Sequence, residues 1–258
     1  MKTLCGSRES PSPFSHKALG IFSQFLTKAG RRIDREAPTP ISKRKDHSQR
    51  TARFLFSVPE SPARIRRMLI AESPLKLLCH PATPAPVVRS IEARASWQSD
   101  GSLLVAYCLW GDMARLLVPP PQAPERADFL WEHTCFEAFI GIVGETTYRE
   151  FNFSPSGQWA AYAFSDYRQR EEGFVLDKAP RLTTQCFSGR LELQAILARE
   201  ALPSVASGFE IGLTAVIEAS DVVDGCHSYW ALRHPLARPD FHHRTAFILT
   251  LAAPLNSN

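Results

Sequence analysis

Residues 130–141, LWEHTCFEAFIG, and residues 148–168, YREFNFSPSGQWAAYAFSDYR, are the stretch on which the fold turns. Apolar and polar side chains alternate with period two in both pieces, as they do along a strand whose successive residues leave on opposite faces. In the first piece Cys135, Glu137 and Phe139 share one face and Phe136 points the other way, so Glu137 stands beside a ring on a face that is not uniformly solvated. In the second, Arg149, Phe151 and Phe153 oppose Tyr148, Glu150, Asn152 and Ser154. Two rings at the back and polar groups in front describe a strand whose back supports a core and whose front is free to line a site. If the two strands pair, Glu150 and Asn152 come to lie beside Glu137. The rings that follow, Trp159, Tyr162, Phe164 and Tyr167, are assigned mostly to the core.

The same period extends outward. SLLVAYCLWGD (residues 102–112) is apolar on both faces, which predicts a central strand buried on both sides. Asp100-Gly101 before it signals a two-residue hairpin to SIEARASW, and ARLLV after it is expected as a neighbouring strand. The prolines of residues 118–128 exclude a strand interior and predict a loop ending near Trp131. RLELQAI, FEIGLTAVIEAS, HSYWAL and TAFILTL supply further strands, and ILAREALP a helix of one or two turns. Roughly nine to eleven short strands with almost no helix predict an all-β antiparallel sandwich of jelly-roll type.

Charge divides the chain. Residues 1–68 carry 15 Lys/Arg against 5 Asp/Glu, and residues 69–258 carry 15 against 21, within an overall net charge of +4. The first 74 residues, rich in Ser, Pro and basic side chains, bury too little apolar surface to offset their ordering entropy and are expected to form a disordered leader. Residues 17–36 within it have the pattern of a short basic amphipathic helix, and Met68 is an alternative translation start. The domain is expected over residues 75–252, with a tail at 253–258. Its acidic balance repels phosphates, so nucleic acid is not an expected partner. No apolar run reaches the roughly 18 residues of a membrane span. Six scattered cysteines with no CxxC pair suit free thiols in a reducing compartment, hence a cytoplasmic protein.

A carboxylate among aromatic rings can accept hydrogen bonds from ligand hydroxyls while the rings stack on an apolar ligand face. Trp131, Glu137, Glu150, Asn152 and Trp230 are therefore the candidate contacts, with Arg233 as a peripheral donor, and the expected partner is a small molecule such as a sugar. A structural ion pair from Glu137 to Arg149 or Arg168 is the competing role. An enzyme using Glu137 with Glu132 or Glu150 as paired carboxyls is the functional alternative. His242, His243 and Asp240 lack a metal-ligand spacing, and no metal or cofactor is expected.

In these segments the chain resembles the DOMON-like superfamily, close to family 9 carbohydrate-binding modules: a Trp, then an acidic strand of the D-x-V-E-x-F kind, then an aromatic-polar strand with Asn and a following Gly. The resemblance covers residues 75–252. It implies a β-sandwich in which Trp131 and Trp230 match the two tryptophans that sandwich a terminal sugar, and Glu137, Glu150 and Asn152 match polar ligands to its hydroxyls. Other DOMON domains bind haem through Met and His, for which Met113 and His234 are the residues available here. Among DOMON-like proteins the chain looks most like uncharacterised bacterial members.

Overall fold

The computed structural model describes residues 73–204, 208–220 and 227–253. The basic leader with its 17–36 segment and Met68, residues 205–207 and 221–226, and the tail from 254 lie outside the described residues. Twelve strands form: β1 (Leu75–Cys79), β2 (Val88–Trp97), β3 (Leu103–Gly111), β4 (Cys135–Ile142), β5 (Tyr148–Phe153), β6 (Trp159–Asp166), β7 (Gln169–Arg170), β8 (Arg181–Phe187), β9 (Arg190–Leu197), β10 (Phe209–Glu218), β11 (His227–Ala231) and β12 (Leu249–Leu251). All pair antiparallel. One sheet runs β1-β2-β3-β9-β8. The other runs β7-β6-β5-β4-β10, with β11 and β12 both on the far edge of β10. β1 belongs to both, since Leu75–Leu77 pair with β2 while Leu78 and Cys79 pair with β11.

The inner faces of the two sheets meet in the main core. Val105 and Leu109 from β3 and Leu193 from β9 pack in one cluster with Phe136, Ala138, Ile140, Phe151 and Phe153 from β4 and β5. Tyr107 crosses between the layers: its ring lies 4.9 Å from that of Phe136, and its hydroxyl donates to the Glu137 carbonyl at 2.6 Å. Each such ring removes on the order of 150–250 Å² from water, which makes this interface the dominant source of stability. The back of β5 is therefore core, as parity predicts.

β4 is buried along its whole length, on both faces. Its outer face does not meet solvent because the segment from Leu232 to Ile248 folds over it and brings Phe241, Ala246 and Phe247 into a second apolar cluster with Phe139, Tyr148, Tyr162 and Phe164. Two glycines permit that approach. A Cβ on Gly212 would stand 2.9 Å from Phe247 Cδ1, and a Cβ on Gly141 would collide with the Arg244 guanidinium. Arg244 fastens the segment by donating to the Ile142 and Glu145 carbonyls at 2.9 and 3.0 Å and to Glu210 at 3.3 Å.

Several local expectations change. The hairpin at Asp100-Gly101 has a three-residue loop closed by Gln98 and Ser102, with Gly101 at φ 78°, because the glycine takes the left-handed position that ends this turn. ARLLV is not a strand: Met113–Arg115 form one 3-10 turn capped by Asp112, and only Leu116 makes a bridge, to Ala219. The helix expected at ILAREALP is a single 3-10 turn, Arg199–Ala201. β3 is wholly buried on its core face, whereas on the other face only Ala106 is buried and Leu104, Cys108 and Trp110 are half-buried. No helix among the described residues is long and apolar enough to cross a membrane.

Candidate functional site

Register decides which side chains share the outer face of the second sheet. Glu137 lies opposite Asn152 on β5 and Thr214 on β10; Phe139 lies opposite Glu150 and Gly212; Glu150 lies opposite Tyr162 on β6. Directly opposed residues on antiparallel strands project to the same side, so Glu137, Phe139, Glu150, Asn152 and Tyr162 form one surface. The covering segment does not close over it completely. It leaves a cavity of about 430 Å³, floored by Glu137, Phe139 and Glu150 and walled by Trp131, Tyr162, Phe164, Tyr229, Phe241 and His242.

Trp131 reaches the wall from the loop. Its 3-10 turn, Leu130–Glu132, is entered through Phe129 at φ 63° and held by buried Leu130. Its ring meets Tyr162 edge-on at 5.9 Å. Tyr162 is itself fixed, donating its hydroxyl to Asp128 at 2.7 Å while the Arg170 guanidinium lies 4.0 Å over its ring. At the rim, Asp240 accepts from Arg168 at 2.9 Å, from the Tyr167 hydroxyl at 2.7 Å and from the backbone of His242 at 3.1 Å, which locks the covering segment to the β6–β7 turn.

The two carboxyls at the floor are almost wholly buried, Glu137 at 3% exposure and Glu150 at 6%. Glu150 accepts from Asn152 Nδ2 at 2.7 Å and has His242 Nε2 at 3.7 Å. Glu137 has one hydrogen-bonding partner for its carboxyl among the described residues, the Thr214 hydroxyl at 3.4 Å. Burial, then the charge of Glu150, hold the Glu137 carboxyl well above the usual carboxylate range. Burial raises Glu150 to about 7, against the opposing pull of Asn152, Arg168 and Arg170. His242 moves the other way. Burial, reinforced by Arg168, lowers it to about 4, so the ring is neutral near pH 7. The Tyr148 hydroxyl accepts from the Arg168 backbone N–H at 3.1 Å and is hydrogen-bonded to His242 Nδ1 at 2.8 Å. With Tyr148 as the donor in that bond, the neutral ring carries its hydrogen on Nε2, toward Glu150. The floor thus presents carboxyls able to donate as well as accept, surrounded by rings.

Of the residues singled out in the sequence, Trp131, Glu137 and Glu150 line this cavity. Asn152 is fully buried beneath it and holds Glu150, its carbonyl side lying 3.8 Å from the Cys135 thiol. Trp230 is on the opposite face of β11, packed in the main core with its Nε1 donating to Ser228 at 3.0 Å, so it cannot stack on a ligand in this cavity. Arg233 is exposed and lies by a different depression with Arg244 and Thr245. Neither ion pair considered for Glu137 forms: Arg149 projects from the other face and donates to Ala201, and Arg168 is held by Asp240. Glu132 is exposed and outside the cavity. The pair proposed for haem also has no place here, since His234 Nε2 is engaged by the Leu78 carbonyl at 2.8 Å while Met113 packs against the main core.

His242, Tyr229 and Asp240 belong to the site without having been read as part of it. Sequence parity separates His242 from His243, and the structure does so: His243 turns away to accept from Thr245 at 2.8 Å. The signal that His242 enters a cavity is absent from RHPLARPDFHHR, which has no periodicity to interpret.

No protein-family model matches the chain, and no curated protein matches it in sequence. Among solved structures it is similar to a protein from Bacteroides uniformis whose assignment to carbohydrate binding is provisional, at 16% identity over 67% of this chain and 82% of that one, TM-score 0.47. It is similar also to a family 9 carbohydrate-binding module from Caldicellulosiruptor kristjanssonii. The complex with glucose aligns at 8% identity over 61% and 74% of the two chains, TM-score 0.37, and the complex with cellotriose at 10% over 60% and 72%, TM-score 0.33. None of these three is described as a DOMON domain.

Proposed function

We propose that residues 75–252 form a small-molecule-binding module whose ligand is a sugar or a similar polyhydroxylated ring, held in the cavity on the outer face of the second sheet. The observation that carries this reading is the under-bonded carboxyl of Glu137, buried beside Glu150 at the floor of a ring-walled cavity of about 430 Å³. Cavities of roughly 300–1,000 Å³ lined by rings with a few convergent polar groups are the usual form of small-ligand sites. Hydroxyls of a ligand supply the hydrogen bonds that Glu137 and Glu150 lack within the protein, and Trp131, at the half-exposed edge, offers an apolar surface to the ligand ring. Titration calorimetry of the full chain against mono- and disaccharides tests this. At least one is expected to bind, with Trp131→Ala weakening it by roughly 2- to 12-fold, the range that aromatic contacts contribute. Binding by none of them sinks the sugar reading.

One feature favours a second reading. Glu137 and Glu150 project from adjacent strands into one cavity, and Glu150, near 7, can hold a proton at neutral pH. Glycoside cleavage needs such an acid facing a second carboxyl. Release of a chromophore from an aryl glycoside, lost in Glu137→Gln, supports the enzyme; binding without turnover removes it.

A further inference from the structure

We propose that the ligand of this cavity is cationic, an amino sugar whose ammonium group lies between the carboxyls of Glu137 and Glu150; this rests on the sugar reading above and names its ligand class. Three observations converge on it.

The floor holds two carboxyls and no arginine or lysine in direct contact with either among the described residues. Among the described residues the one base within 4.0 Å of either carboxyl is His242, at 3.7 Å from Glu150, and its Nδ1 is already joined to Tyr148 at 2.8 Å. The two arginines of the wall act on Glu150 from a distance without bonding to it, Arg168 being paired with Asp240 at 2.9 Å and Arg170 lying over the Tyr162 ring at 4.0 Å. Secondly, register brings the two carboxyls to neighbouring positions on one face, within the reach of a single small group. Glu150 is the diagonal neighbour of Glu137, since Glu137 stands opposite Asn152. Diagonal neighbours across an antiparallel pair lie about 7–8 Å apart at the backbone and closer at their side chains. An ammonium bonded to two carboxylates spans about 5.5 Å from oxygen to oxygen, twice a charge-assisted bond of about 2.8 Å. Thirdly, Trp131, Tyr162, Phe164, Tyr229 and Phe241 surround the floor, and the electron-rich faces of aromatic rings favour a cation over a neutral group.

A neutral sugar leaves the pair sharing protons or carrying unpaired buried charge. An ammonium removes both penalties: the carboxyl releases its proton to solvent and the ligand's charge takes its place. Besides each other the pair faces Cys135 on β4, Tyr148 on β5, Tyr162 on β6, Arg168 and Arg170 beyond it, Tyr229 on β11, and Asp240 and His242 of the covering segment, with Tyr107 behind. Of these, burial keeps Tyr107, Tyr148, Tyr162 and Cys135 protonated and His242 neutral, so the carboxyls supply the released proton.

The test is calorimetry of the full chain with glucosamine, glucose and N-acetylglucosamine at about pH 6.5, in two buffers of different ionisation heat so that protons are counted. Glucosamine is expected to bind about tenfold or more tighter than the other two, as charge-assisted bonds outweigh neutral ones, with net proton release. Glu137→Gln and, independently, Glu150→Gln are expected to reduce both the preference and the release. If glucose or N-acetylglucosamine binds as well as glucosamine, or glucosamine binds without releasing protons, the cationic assignment is overturned while sugar binding stands. If no sugar binds, both fall together.

Discussion

Replacing Glu150 by Gln should stabilise the protein at alkaline pH and leave it nearly unchanged at acid pH. The folded carboxyl holds its proton to about pH 7, whereas its ordinary value is 4.5. Between those values the native state binds the extra proton, so stability falls as pH rises; the contribution is fully present below about pH 4.5 and lost by about pH 7. At 1.36 kcal/mol per pH unit that interval corresponds to about 3 kcal/mol. Gln mimics the protonated acid and does not titrate. Its carbonyl can keep the 2.7 Å bond from Asn152, while its amide then faces His242 Nε2, a donor facing a donor at 3.7 Å, which costs less than the ionisation it avoids. Urea unfolding of both proteins from about pH 5 to pH 8 reads the difference directly. Other titrating groups that the substitution leaves unperturbed, such as Asp128 and Asp240 with their lowered values, cancel in the comparison. The variant should gain on the wild type steadily up to neutral pH, by about 3 kcal/mol from Glu150 itself, with relief of the charge that also raises Glu137 acting in the same direction. A variant that loses ground as pH rises would show that the ionised Glu150 is stabilised in the fold, and the account of the floor would be wrong.

Three further substitutions separate the cavity from its supports. Gly212→Ala forces the Phe247 ring away from β10, and should cost about 1–3 kcal/mol in chemical denaturation while weakening ligand binding through the displaced cover. Trp230→Phe lies in the main core, so it should lower the melting temperature yet leave the affinity of any ligand of the cavity unchanged in calorimetry; a selective loss of affinity would place Trp230 in the site after all. Tyr107→Phe removes the buried 2.6 Å bond to the Glu137 carbonyl, for an expected loss of about 0.5–1.5 kcal/mol measured by urea unfolding.

How far the site was legible follows from where period two holds. Glu137, Phe139, Glu150 and Tyr162 lie on strands, where alternation assigns each to a face before any pairing is known. Trp230 also lies on a strand, but alternation names two faces without saying which is core. Trp230 and Tyr229 are consecutive, and β11 turns Trp230 to the core and Tyr229 to the cavity. Trp131, entering through the left-handed Phe129, and His242, in a segment without repeat, are placed by packing alone.

Period-two patterning, the prolines of residues 118–128 and the glycine turns determined by themselves that this chain folds as an antiparallel β-sandwich with Phe151 and Phe153 inside, because alternation and turn chemistry are properties of neighbours in the chain. Only tertiary structure decided that the opposite face of the same strands is roofed by residues 232–248, since docking there depends on Gly141 and Gly212 meeting Arg244 and Phe247 from about 30 to 100 residues away. That roof takes Glu137 and Glu150 almost entirely out of bulk solvent. It converts two ordinary strand carboxylates into a buried pair with raised proton affinity, which is the physical origin of the candidate site.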